Sequence, residues 1–354
     1  MQRPSLFVRL CSLAFAASFV GASCGQSGLA VMPGVVNNPG NLSLRRGILG
    51  FAESQICTEL KKRSVPLQLR PDEPASGRFF PTSCATQQLA NGNIFVQFGG
   101  YGYAWTNLTK RITFDAQAAI EYQHDFLMHD SSMYVYLREK ATTATTFTTR
   151  LVEQTPQAPA VGLPGGTTQG FLDLIGTEVL RKELDKGFTV IRDEDGHTDF
   201  GVGIVDKGKR PPSPYKTADN GRLVLANERI EVHQNQRDYV GPFEVTDSKQ
   251  ALYLSVAIDG AQNVDVMLIH RGIGEAWLVN YTSQPALGPP PAPPALDELV
   301  GTGMVWRRTM PLPVGQYYVV FDNSPAAGKS APPVIAGDDR AVLVNYAVEL
   351  GPAP

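Results

Sequence analysis

Residues 20–25 read Val-Gly-Ala-Ser-Cys-Gly and hold two side chains that could do chemistry. Gly21-Ala-Ser-Cys-Gly25 fits G-x-S-x-G, in which a sharp turn from strand to helix lifts a serine hydroxyl above a sheet as a nucleophile. The other candidate is the Cys24 thiol, as a point of covalent attachment. The flanks separate the two. The run from Leu10 to Val20 would pass as a buried strand, but Gln26-Ser-Gly-Leu-Ala-Val-Met-Pro-Gly34 has glycines, a proline and no 3.6-residue period. No helix is expected after Ser23, so the elbow lacks its second half.

The upstream side has the make-up of a secretory signal. Arg3 and Arg9 precede the apolar run, which is too short to span a bilayer, and small residues follow it. The stretch resembles the lipobox of bacterial lipoproteins, in which the cysteine becomes the first mature residue and carries acyl chains. It departs from that pattern at Gly21, where Leu, Val or Ile is usual, with Val20 one place early. The resemblance implies lipidation of Cys24; ordinary secretory cleavage is the alternative. Gly25, rather than Asp, resembles the signal that sends lipoproteins to the outer membrane.

The cysteine count agrees with a lipid. Cys11 leaves with residues 1–23, and an acylated Cys24 leaves Cys57 and Cys84 as an even pair in an oxidising compartment. That pair is expected to form a disulfide, with two buried thiols as the alternative. Residues 24–43 are polar and turn-rich, as a flexible tether would be.

Elsewhere the chemical signals weaken against their neighbours. His124 and His129 are five apart, so a strand points them to opposite faces and a helix spreads them too widely for a metal. His129-Asp-Ser-Ser132 reads as a hairpin turn. The carboxylates Asp193, Asp195 and Asp199 hint at calcium, but Gly196 stands at the wrong place for an EF-hand loop, and Asp195-Gly196 reads as a hairpin. Gly99-Gly-Tyr-Gly102 lacks the third glycine of a dinucleotide fingerprint. His197, His233 and His270 fall in separate segments. Tyr101, Tyr103 and Trp105 are read as sheet packing, with a binding platform as the rival. No catalytic residue, metal ligand or cofactor site is assigned.

The elements that must position such residues are mostly strands. The chain of 354 residues holds 34 glycines and 27 prolines, a loop-rich β composition. A net charge of −3 with 18% charged residues argues against nucleic acid as partner. A helix is expected over residues 44–63, with Leu44, Ile48, Phe51, Ile56 and Leu60 as its apolar stripe. From residue 112 to 128 apolar and polar residues alternate, with Ile112, Phe114, Ile120, Tyr122 and Phe126 on one face. A strand that long must bend, bulge or wrap something. A second helix is expected over 171–186, and its neighbourhood echoes the first closely enough to suggest a duplication.

Beyond residue 222 the pattern is all β, with about eight short strands at 229–233, 241–245, 252–258, 264–268, 276–281, 304–310, 316–321 and 342–350. Leu312-Pro-Val-Gly-Gln-Tyr-Tyr-Val-Val-Phe-Asp-Asn323 resembles the late strands of jelly-roll domains appended to secreted bacterial peptidases.

The expected organisation is mainly β with some α: signal 1–23, tether 24–43, an α+β domain 44–153, a Pro/Gly linker 154–167, a helix plus hairpin 168–221, and a jelly-roll-like antiparallel sandwich 222–354. The expected role is binding or structural, in a lipid-anchored envelope protein of a Gram-negative bacterium. It attaches to the membrane through the N-terminal lipid, on the outer membrane, and meets a protein, glycan or lipid ligand. One rival is a lipid carrier whose apolar trough is residues 112–128; another is an envelope hydrolase with an accessory sandwich.

Overall fold

The computed structural model describes residues 32–154, 181–210, 221–330 and 340–354. Short breaks fall at 39, 63, 69–72, 108, 195–197 and 285–287, and 173, 176 and 177 are described within the gap at 155–180. The expected signal, Ser23, Cys24 and most of the linker lie outside the described residues, as do 171, 172, 174, 175 and 178–180 of the expected second helix.

The fold is mainly β, with antiparallel sheets. The first seven strands form one meander, in spatial order identical to their chain order. They are β1 Val65–Leu67, β2 Gly77–Gln88, β3 Ile94–Thr106, β4 Lys110–His129, β5 Ser132–Val152, β6 Phe188–Arg192 and β7 Thr198–Val202. The alternating stretch is thus a strand of 20 residues. Its register against β5 shifts at Thr113/Phe114, Ala119/Ile120 and Glu121/Tyr122. Each irregularity bends the ribbon, which is how so long a strand stays in a curled sheet. The turn after His129 joins β4 directly to β5. Asp130 there takes a positive φ of 51°, which Asp tolerates better than most residues.

One face of this sheet is covered by helix α2, Leu42–Lys62, close to its expected bounds. Leu49, Ile56 and Leu60 pack with Val96, Phe98, Phe114, Ile120, Tyr122 and Phe126 into one core. Cys57 of α2 and Cys84 of β2 form a disulfide across this contact, with Cα atoms 5.3 Å apart.

The hairpin β6–β7, within the expected segment 168–221, pairs onto β5 and extends the first sheet. Residues 32–36, placed in the tether, form a short helix α1, Met32–Val36, with Val36 fully buried. Asn37 fastens that end: its Oδ1 accepts from Met128 N at 2.8 Å, and its Nδ2 donates to Met128 O at 3.3 Å. The apolar edge of β4 at Met128 needed a cover, and Val36 supplies part of it.

The remaining eight strands are β8 Leu223–Val232, β9 Gln236–Val245, β10 Gln250–Asp259, β11 Asn263–His270, β12 Leu296–Gly301, β13 Trp306–Pro311, β14 Gly315–Asn323 and β15 Val342–Pro352. They make two four-stranded sheets, β13-β10-β15-β8 and β12-β11-β14-β9. That interleaved order, with chain neighbours shared between the sheets, is a jelly roll. Between the sheets lie Leu252, Leu254, Val256, Val264, Val266, Leu268, Val319, Phe321, Val344 and Tyr346.

Residues 276–281, expected as a strand, belong instead to helix α3, Arg271–Asn280, and the residue after it. His270 caps it by accepting Gly272 N on its Nδ1 at 3.1 Å. Gly274, Leu278 and Tyr281 then recur at helical spacing and turn inward. The eighth strand is β12, whose Asp297, Glu298 and Leu299 hid it from a pattern reading.

Candidate functional site

The densest chemistry in the described residues lies where the first sheet meets the jelly roll. Strand β2 carries Arg78 inward from a run, Gly77-Arg-Phe-Phe80, whose other side chains are apolar. The guanidinium is fully buried. Its Nε donates to Asp238 Oδ1 at 3.1 Å and its Nη2 to Asp238 Oδ2 at 2.7 Å, the bidentate fork that Arg makes with a carboxylate. Nη2 also reaches Glu228 Oε2 at 2.7 Å, and Nη1 donates to Ser64 Oγ at 3.0 Å. Two tyrosines complete the set. Tyr103 donates to Asp238 Oδ1 at 2.5 Å, and Tyr346 donates to Glu228 Oε2 at 2.7 Å. Burial alone would lower the Arg78 pKa, but Asp238 and Glu228 outweigh it and hold it well above its ordinary value. Burial raises both Tyr103 and Tyr346, and the adjacent carboxylates add to the effect.

Arg111 braces the junction, and Arg237 lies beside it within the jelly roll. Arg111 of β4 donates to the carbonyls of Tyr281 at 3.1 Å and Gln284 at 3.2 Å, with its guanidinium carbon 4.4 Å from the Tyr281 ring centre. Arg237 of β9 pairs with Asp322 at 2.9 Å, both essentially unexposed, and lies over Trp277 at 4.2 Å. Burial raises Asp322, against the pull of Arg237. An apolar layer lies beside these charges: Phe80 stacks on Tyr239 at 4.6 Å and on Tyr101 at 5.3 Å, and Tyr103 meets Tyr281 edge-on at 5.0 Å. The backbone joins in as well, since Ala75 bridges Ile230 in parallel register.

The junction has little free space: a pocket with room for about a single water, roughly 10 Å³, is lined by Arg111, His233, Gln236, Arg237, Asp238 and Tyr281. His233 stacks face-on with Trp105, and its Nε2 lies 2.6 Å from Glu231 Oε1. An acid–imidazole pair is thus present, with a ring face covered by an indole. The carboxylates face guanidinium groups and tyrosine hydroxyls, an arrangement that fixes two bodies together and has no space for a substrate.

The other sequence candidates are dispersed. Tyr103 and Trp105 are buried in the junction and Tyr101 is half-buried on Phe80, so all three serve packing. His124 lies against Phe126, while His129 sits 3.5 Å from Asp130 in the turn. Asp193 accepts from Ser132 at 2.6 Å and from Arg210 at 2.7 Å, and Asp199 accepts from Arg210 at 2.9 Å. That leaves these two carboxylates engaged by a cation; the turn at 195–197 lies outside the described residues. Among the described residues no group of His, Cys, Asp and Glu has a metal-binding arrangement. The glycines Gly100 and Gly102 serve close approach: an added Cβ would lie 2.0 Å from Phe80 O and 2.5 Å from Arg78 O.

Pattern reading missed Arg78, Asp238 and Arg237. The one local signal was a charged residue at an inward position of a strand, as in Gly77-Arg-Phe-Phe80 and Arg237-Asp-Tyr-Val240. Compared with protein-family models and with curated proteins, the chain matches none.

Proposed function

We propose that this is a lipid-anchored protein of the bacterial cell envelope, held through Cys24 and serving a non-catalytic binding or structural role. The jelly roll is the part that meets a protein, glycan or lipid ligand, and the outer membrane is its location. The observation that carries the non-catalytic reading is the junction, where buried Arg78 is used to hold Asp238 and Glu228 across two bodies. The apolar run, small residues and Cys24-Gly25 carry the anchoring.

The carrier reading has weaker support. Phe114, Ile120, Tyr122 and Phe126, the face it would use, are at most 3% exposed and pack in one core with residues of α2. The test of anchoring is fractionation of cells making the parent and Cys24→Ala. The parent is expected with membranes and the variant in the soluble fraction; identical partition of the two would overturn the reading.

A further inference from the structure

The two ends of β4 are fastened to different things. At its C-terminal end, Met128 bonds Asn37 through both backbone groups, and buried Val36 lies alongside in the same core. At its N-terminal end, Arg111 bonds the carbonyls of Tyr281 and Gln284, which belong to the jelly roll. The residues between, Arg111 to Met128, span 17 steps of one continuous strand. At about 3.3 Å each they cover up to roughly 56 Å, less what the bulges curl away. Strand β4 is flanked by β3 over its first part and by β5 over nearly all of it, and α2 is locked to the sheet by the disulfide. It is a braced beam.

We infer that the seven-stranded sheet is a rigid spacer that presents the jelly roll at the end far from the membrane, an inference that rests on anchoring through Cys24. Eight chain steps lead from Cys24 to Met32, so Met32 stays within about 28 Å of the lipid, whatever path the chain takes. The extended limit of the beam, roughly 56 Å, is about twice that reach. Large exposed apolar side chains among the described residues also divide unevenly. On the sheet body only Val35 qualifies, close to the anchored end, whereas the jelly roll exposes Leu223, Ile273, Leu299, Val305, Val314 and, at 84%, Met304. Exposed apolar side chains of the described residues thus lie mostly on the head rather than on the beam.

The test uses the tryptophans, because all three stand at the far end: Trp105 at the junction, Trp277 on α3 and Trp306 on β13. The chain beginning at Cys24 is coupled through that thiol to maleimide-bearing lipid in phosphatidylcholine vesicles containing dansyl-headgroup lipid. The disulfide keeps Cys57 and Cys84 out of the coupling. Tryptophan emission of the parent is expected to survive coupling unchanged. In Ser131→Trp, a new donor in the β4–β5 turn, the added emission is expected to be lost to dansyl. Loss of emission in the parent, as when Met304 and its neighbours rest on the bilayer, would overturn the spacer. Chemical coupling makes this outcome independent of whether the cell lipidates Cys24, which the membrane fractionation reads separately.

Discussion

Arg78 and Asp238 stand 160 residues apart in the chain, yet they meet through two parallel hydrogen bonds in a fully buried contact between the first sheet and the jelly roll. A desolvated guanidinium is tolerated there because Asp238, Glu228, Ser64 and Tyr346 all accept from it. The pair makes the two bodies one unit.

Removing Arg78 leaves two carboxylates buried beside two tyrosines. Arg78→Met is expected to destabilise the protein by about 3–5 kcal/mol, the usual penalty for orphaning one side of a buried pair. Urea unfolding followed by tryptophan emission measures it. Arg78→Met combined with Asp238→Leu should recover part of the loss, since the remaining charge at the site then falls to Glu228. Additive losses in the double variant would show that the pair is not coupled.

The disulfide joins residues 27 apart. A loop of that size implies about 3–4 kcal/mol on the chain-entropy account. Cys57→Ser with Cys84→Ser should lower the urea midpoint accordingly, and a reductant should lower the parent's midpoint while leaving the variant's unchanged.

The same substitution is expected to have opposite signs at two glycines. At Gly102 an added Cβ would lie 2.5 Å from Arg78 O and 2.6 Å from Phe114 Cζ, so Gly102→Ala should cost about 1–3 kcal/mol. At Gly47, within α2 and exposed, nothing lies within 4 Å. Gly47→Ala should stabilise by about 0.5–1 kcal/mol. Thermal midpoints of the two variants decide it.

Asp265 gives a pH dependence. Burial raises its pKa, against the backbone N–H groups of Ser330 and Lys329 that bond it at 2.6 and 2.8 Å. The folded protein therefore holds that proton more tightly than the unfolded chain does, and its contribution to stability is lost as pH rises through the raised value. The Tm of the parent relative to Asp265→Asn should fall between about pH 4 and neutrality. A difference that stays constant over that range would assign no proton to Asp265.

What the sequence made legible follows from how local each signal is. The alternation of 112–128 marked β4, because a single face of apolar residues needs no knowledge of the partner strand. The stripe through Ile56 and Leu60 marked α2 in the same way, and the spacing of the strands after residue 222 marked the sandwich. Residues 276–281 misled because Trp277, Leu278, Val279 and Tyr281 suit either period, and the deciding feature, the packing of Leu278 and Tyr281, is tertiary. The junction was the least legible part. Arg78, Arg111 and Arg237 each look like ordinary strand residues until distant segments bring their acceptors.

The most direct test of the account is the mass of the N-terminal peptide recovered from membranes, with and without an inhibitor of the lipoprotein peptidase. The account predicts a peptide that begins at Cys24 and carries a diacyl or triacyl adduct, lost when the inhibitor is present. An unmodified Cys24, or a peptide that begins elsewhere, would contradict it.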